Sequence, residues 1–385
     1  MSPLFKSGMA EITRLTRAGK LAEATAKIRS LLHPGPLASD ATAEPAATFG
    51  DVIEGEFVRL DVTPPPAAKP RRTSGRAPLG ETLRKIAAGG MPAHGPLTGV
   101  QAPVAEGAQF LPLLYASAHG TRSYRLYVPA HRPDGPMPLV VMLHGCTQTP
   151  EDFAIGTGMN LLAEEYGCVV AYPGQPKGAN AQKCWNWFRP EDQERDAGEP
   201  ALIAGLTQEI QRNYPVDRAR IYVAGLSAGG AAAVILGAAY PEIYAAVGVH
   251  SGLPSGGARD VVSAFAAMRS GTSGAAHGSA RPTIVFHGLN DSTVHPGNGA
   301  AILAQALPAM PGLRSTTWQG SVPGGQAYSV TAHHDADGRS MAEHWQIDGA
   351  GHAWSGGRTG GSYTDPKGPD ASRQMLRFFL QHSLA

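Results

Sequence analysis

The sequence predicts an α/β fold, a mainly parallel central sheet flanked by helices, preceded by an N-terminal helical hairpin and a flexible linker. Short strand-like runs recur between longer runs of helical spacing across residues 108–385, the pattern of βα units. One junction, residues 221–230, reads Ile-Tyr-Val-Ala-Gly-Leu-Ser-Ala-Gly-Gly. It is a strand that turns sharply at a serine and continues as a helix. A third observation sets the boundary. Residues 34–107 are rich in Pro, Ala, Gly and Thr, with Pro64-Pro65-Pro66 among them. A structureless stretch of that length does not belong inside a compact domain, so the folded unit begins after it.

In chain order, residues 1–33 read as two short helices. Ile12, Leu15 and Leu21, then Ile28, Leu31 and Leu32, fall near helical spacing, with Ala18-Gly19 as the break. Residues 123–128 alternate as a strand, and 138–143 form a short apolar strand of the buried, parallel kind. A helix over 155–166, a strand over 168–172 and a long helix over 199–214 follow. The last carries Leu202, Ile203, Leu206, Ile210 and Tyr214 on one side. After the serine junction and its helix (230–240) come strands at 245–250, 283–287, 328–334 and 344–347. A helix over 371–382 closes the chain.

Composition excludes several function classes. The net charge is +1, with no basic patch interleaved with aromatics, so nothing points to nucleic acid. No apolar run reaches the roughly 18 residues of a membrane-spanning helix. Residues 1–32 carry charges throughout and lack the apolar core of a signal peptide, which makes a cytoplasmic chain the expectation. Cys146, Cys168 and Cys184 match neither a disulfide framework nor a zinc site.

The serine junction contains Gly225-Leu-Ser227-Ala-Gly229, a G-x-S-x-G elbow in the strand–turn–helix setting that chemistry requires of it. A serine hydroxyl is a poor nucleophile unless a neutral imidazole takes its proton and a buried carboxylate fixes that imidazole's tautomer. Asp291 stands just past the strand at 283–287, and His352 lies on the Gly-rich loop after the strand at 344–347. The order Ser227, Asp291, His352 is that of α/β-hydrolases. Activity should fall on acidification as the imidazole takes up a proton. Asp348 competes for the acid role only by sequence proximity. His144, His250, His287 and His295 also sit at strand ends, as structural or wall residues.

A tetrahedral intermediate needs two backbone N–H donors. One is expected at Ala228, which follows the nucleophile. The other comes from the turn His144-Gly145-Cys146-Thr147-Gln148, at Cys146 or, alternatively, Thr147. Such chemistry calls for no metal and no organic cofactor.

His144-Gly-Cys-Thr-Gln, Lys183-Cys-Trp-Asn-Trp, Gly225-Leu-Ser-Ala-Gly, His287-Gly-Leu-Asn-Asp-Ser-Thr-Val and Gly351-His-Ala-Trp together resemble the poly(3-hydroxybutyrate) depolymerase-like esterases. Feruloyl and acetylxylan esterases are related to these. The resemblance covers residues 108–385 and implies an α/β-hydrolase catalytic domain there, acting on polyester or oligoester bonds with Ser227, Asp291 and His352 as triad. It also implies a Cys146–Cys184 disulfide, with free thiols as the alternative, and an inert core Cys168. His144, Trp185, Trp187 and Trp354 would suit an acyl-binding wall; for the tryptophans, ordinary core packing is the competing expectation. Secreted depolymerases of this kind carry a signal peptide and a C-terminal polymer-binding domain, and neither is recognisable in this sequence. An amorphous granule, an oligomer or another ester is therefore expected in place of crystalline polymer, with extracellular export as the alternative location. The hairpin at 1–33 is a candidate for docking on a hydrophobic granule or a partner. Two readings compete: a feruloyl or acetylxylan esterase, and a granule- or partner-binding protein whose hydrolase domain is secondary.

Overall fold

Strands 137–143 and 221–226 are apolar at nearly every position because both of their faces are buried, and they form the centre of the fold. The computed structural model describes residues 101–272 and 281–385; the hairpin expected at 1–33 and the linker expected at 34–107, as far as residue 100, lie outside the described residues. Ten strands build one sheet: β1 Gln109–Ser117, β2 Gly120–Val128, β3 Met137–Leu143, β4 Val169–Pro173, β5 Val216–Leu226, β6 Ala246–His250, β7 Thr283–Gly288, β8 Arg314–Ser321, β9 Ala327–His334 and β10 Ser340–Ile347. Their order is β1-β2-β4-β3-β5-β6-β7-β10-β9-β8. The run from β4 to β10 is parallel. Antiparallel strands flank it, β1 and β2 on one side and β9 and β8 on the other.

Helices cover both faces. Leu139, Val141, Ile221 and Val223 pack with Leu206 and Ile210 of α3 (Gly198–Asn213) and with Val234 and Ile235 of α4 (Ala228–Ala239). The intervening Val140, Met142, Tyr222 and Ala224 face the other way. They meet Phe153 of α1 (Pro150–Thr157), Leu162 of α2 (Met159–Tyr166) and Met375, Phe378 and Phe379 of α7 (Ala371–Phe379). Strict alternation between two apolar layers is what a two-sided parallel sheet demands. The first layer also takes in α5 (Val261–Ser270) and α6 (Gly297–Ala306).

The structure departs from the sequence expectations in particular places. The helix expected over 155–166 is two helices, because Gly158 adopts φ +62° and its N–H closes α1 on Ala154 O. That left-handed cap is open to glycine at little cost. β1, β8, α5 and α6 are additional to the expected elements. The β8 side chains are mostly exposed and show no apolar alternation, and α5 and α6 are short and rich in alanine, α6 also in glycine. Among the described residues, no helix is long and apolar enough to cross a membrane.

Candidate active site

The elbow places Ser227 at φ +57°, ψ −118° between the end of β5 and the first residue of α4. A non-glycine residue in that region is strained and needs surrounding structure to hold it. The Ser227 N–H donates to His250 O at 2.9 Å, and Ser227 O accepts from Ala231 N at 3.0 Å. The flanking glycines are required by close approach. A Cβ on Gly229 would collide with the carbonyl oxygens of Leu143 and His144, and one on Gly225 with the backbone of Gly229.

Asp291 follows β7 in a tight turn. Its Oδ1 accepts from Thr293 N at 2.9 Å and Val294 N at 2.8 Å, an Asx-type arrangement. His352 follows β10. The two loops are laced together by Leu289 N–H to Ile347 O and Asn290 N–H to Ala350 O, both 2.9 Å. They approach this closely because Gly288 has no side chain; a Cβ there would strike the backbone of Ala350 and Gly351.

The result is a contact of 2.7 Å between Asp291 Oδ2 and His352 Nδ1. Burial would push the Asp291 carboxyl up. His352 and His287 outweigh it and hold the group well below the usual carboxylate range. An ionised carboxylate only accepts hydrogen bonds, so Nδ1 carries the proton and Nε2 keeps its lone pair. Ser227 and His352 line the same cavity of about 280 Å³, which also takes in Cys146 and Ala228.

Of the two candidate amides in the 144–148 turn, Thr147 N–H is engaged: it donates to Gln182 O at 2.7 Å. That argues against the alternative; Cys146 and Ala228 both line the cavity. The turn itself is pinned from beneath. Gly145 N–H donates to Gln148 Oε1 at 2.8 Å, and Gln148 Nε2 donates to Asp152 Oδ2 and Ser362 O at 3.2 and 3.1 Å. A Cys146–Cys184 disulfide ties it sideways to the 180–189 loop. Cys168 is a buried free thiol, which burial pushes up to about 12.

Three of the four expected wall residues lie elsewhere. Trp185 is fully buried and donates Nε1–H to His144 O at 3.0 Å, so it supports the turn from behind. His144 is buried too. Its Nε2 accepts from Gln175 N at 3.0 Å, so its Nδ1–H donates to Gly145 O at 2.7 Å, and burial pushes its pKa down to about 4. Trp354 packs on Phe153 and His250 and donates to Ser372 Oγ at 3.0 Å. These side chains face the core because their polar atoms find partners there. Only Trp187 of the four lines the cavity.

The remaining walls come from segments that sequence reading missed. Val261, Ala264, Phe265 and Met268 of α5 form one side, and Phe188 and Leu253 add to it. A helical spacing of i, i+3, i+4, i+7 at 261–268 was the available signal. Tyr363, at φ +52°, closes another side and bonds through its hydroxyl to Thr147 Oγ1 at 3.0 Å; Thr147 is itself at φ +68°.

Residues 122–316 match the family described as esterase PHB depolymerase, a span that includes Ser227 and Asp291 and ends before His352. The chain is 33% identical over 259 residues to poly(3-hydroxyalkanoate) depolymerase C of Paucimonas lemoignei, covering 62% of this chain and 61% of that one. It is 30% identical over 261 residues to poly(3-hydroxybutyrate) depolymerase of Ralstonia pickettii, covering 62% and 53%. Feruloyl esterase B of Neurospora crassa is 34% identical over 128 residues, 33% of this chain and 42% of that protein. The chain thus spans about three fifths or less of the length of these relatives. Acetyl xylan esterase from Aspergillus awamori shares the fold, with a TM-score of 0.51 at 20% identity over 68% of this chain and 94% of that one. On the family match, the chain belongs to the esterase PHB depolymerase family.

Proposed function

We propose that this protein is a serine carboxylic-ester hydrolase that cleaves hydroxyalkanoate polyester or oligoester bonds. The observation that carries the reading is the Asp291–His352 contact, with His352 and Ser227 lining one apolar cavity. Family membership favours the ester substrate, and the apolar walls suit an alkyl-substituted acyl chain.

In this mechanism Ser227 Oγ attacks the ester carbonyl carbon while His352 Nε2 takes its proton. The alkoxide of the tetrahedral intermediate rests on the Cys146 and Ala228 amides, each worth ~10²–10³ in rate. His352 then passes the proton to the leaving alcohol, and the acyl group remains on Ser227. Water, activated by the same imidazole, attacks the acyl-enzyme and releases the acid. Asp291 stays ionised throughout and supports the imidazolium.

A second reading, a feruloyl or acetylxylan esterase, is favoured by the similarity to feruloyl esterase B. The test is product release from amorphous poly(3-hydroxybutyrate), from its short oligomers, and from feruloyl and acetylated sugar esters. Wild type and Ser227→Ala are run side by side. Serine-dependent release of hydroxybutyrate units supports the first reading. Turnover of the sugar esters alone supports the second, and no serine-dependent turnover on any substrate rejects both.

A further inference from the structure

The Asp291 carboxylate has a second imidazole beside it, and this one is turned away from the cavity. His287 lies on β7, four residues before Asp291, and both side chains are fully buried. Its Nε2 is 3.0 Å from Val294 O and 3.5 Å from Asp291 Oδ2, the same oxygen that His352 contacts. Carbonyl and carboxylate oxygens only accept, so Nε2 of His287 carries a proton that it donates to Val294 O, with Asp291 Oδ2 3.5 Å from the same nitrogen. Val294 in turn donates its N–H to Asp291 Oδ1 at 2.8 Å. His287, Val294 and Asp291 therefore close a ring in which one imidazole N–H holds the turn and lies against the carboxylate.

We propose that His287 is a positioning residue for the Asp291 carboxylate, fixing the 291–294 turn through Val294 O and drawing off part of the charge that Oδ2 presents to His352. This rests on the triad reading given above. Gly299 of α6 lies close to the His287 ring, where a side chain would crowd it. A Cβ at Gly299 would stand 3.2 Å from His287 Nδ1 and 2.8 Å from His344 Nε2. The other titratable groups facing His287 are His250 from β6 and His344 from β10, together with Asp291 and His352. Burial pushes His250 down to about 3 and His344 to about 4. Both are uncharged at neutral pH, which leaves Asp291 to set the local field.

A histidine that merely fills space here would affect stability alone. A positioning histidine changes how His352 titrates. Without the His287 N–H, Oδ2 presents more charge to the imidazolium, so His352 takes up its proton at a higher pH.

The experiment uses the full chain with ¹⁵N-labelled histidine, as wild type, His287→Gln and His287→Asn. A Gln amide reaches the position of the imidazole Nε2, and an Asn amide only that of Nδ1. NMR follows the His352 titration, and hydrolysis of p-nitrophenyl butyrate follows activity. In His287→Asn the His352 midpoint is expected to rise by about half to one pH unit, with kcat down about tenfold and KM within about twofold. His287→Gln is expected to restore most of both. Equal midpoints in wild type and His287→Asn overturn the proposal, even if the variant melts earlier. A wild-type spectrum with His287 protonated on Nδ1 overturns it without any variant. Labelling of Ser227 by a fluorophosphonate probe is measured in parallel. Its failure in wild type rejects the serine-hydrolase reading, while the His352 titration still decides the role of His287.

Discussion

His352 Nδ1 lies 2.7 Å from Asp291 Oδ2, while the other oxygen of that carboxylate is taken by the amides of Thr293 and Val294. The two oxygens therefore act separately, Oδ1 anchoring the group and Oδ2 orienting the imidazole. This division makes Asp291→Asn a selective test. The amide oxygen can still accept from the two backbone N–H groups, but its NH₂ faces Nδ1 and favours the wrong tautomer. We expect kcat to fall about 10⁴-fold with the fold retained, measured on p-nitrophenyl butyrate together with circular dichroism.

Acid should destabilise this protein as soon as the pH falls below the pKa of an ordinary histidine. His144, His344 and His382 have values pushed down by burial to about 4, and His250 to about 3. Each folded value lies below that of the unfolded chain, so the unfolded chain binds the extra protons. Their stabilisation is complete above about pH 6.5 and is lost as pH falls toward 4, each group contributing up to about 1.4 kcal/mol per pH unit. Asp291, held low by His352 and His287, adds stability that is lost only at more acidic pH. Urea midpoints at pH 7, 6, 5 and 4.5 should fall steeply. A flat series would contradict the buried neutral histidines.

The Cys146–Cys184 bridge encloses a sequence separation of 38 residues, for which chain entropy gives about 4 kcal/mol of stabilisation. Because Cys146 also carries one proposed oxyanion amide, replacing both cysteines by serine should lower Tm and kcat together. KM should change less than kcat, since the amide acts on the transition state. A lower Tm with unchanged kcat would separate the bridge from the turn it braces.

Ala264 of α5 lines the cavity between Val261 and Phe265. Ala264→Phe should fill acyl space and raise KM for hexanoate esters about tenfold, with acetate esters changed little. A series of p-nitrophenyl esters of increasing chain length checks this, and a uniform loss across the series would place the acyl group elsewhere.

The sequence by itself determined the elbow, the chain order of serine, aspartate and histidine, and the central strands. Those features are local: a G-x-S-x-G turn needs glycines at fixed offsets, and a strand buried on both faces must be apolar throughout. Only the tertiary structure decided which side chains face the cavity that Ser227 lines. Trp185, Trp354 and His144 sit in motifs beside the site, yet each turns inward to a partner contributed by another part of the fold: His144 O, Ser372 Oγ and Gln175 N. Besides Trp187, Phe188 and Leu253, the walls come from α5 and from Tyr363, more than thirty residues downstream of Ser227 in sequence. A side chain's direction at the end of a strand depends on which partners long-range packing brings to it. That information is spread over the whole chain and does not reside in any one motif.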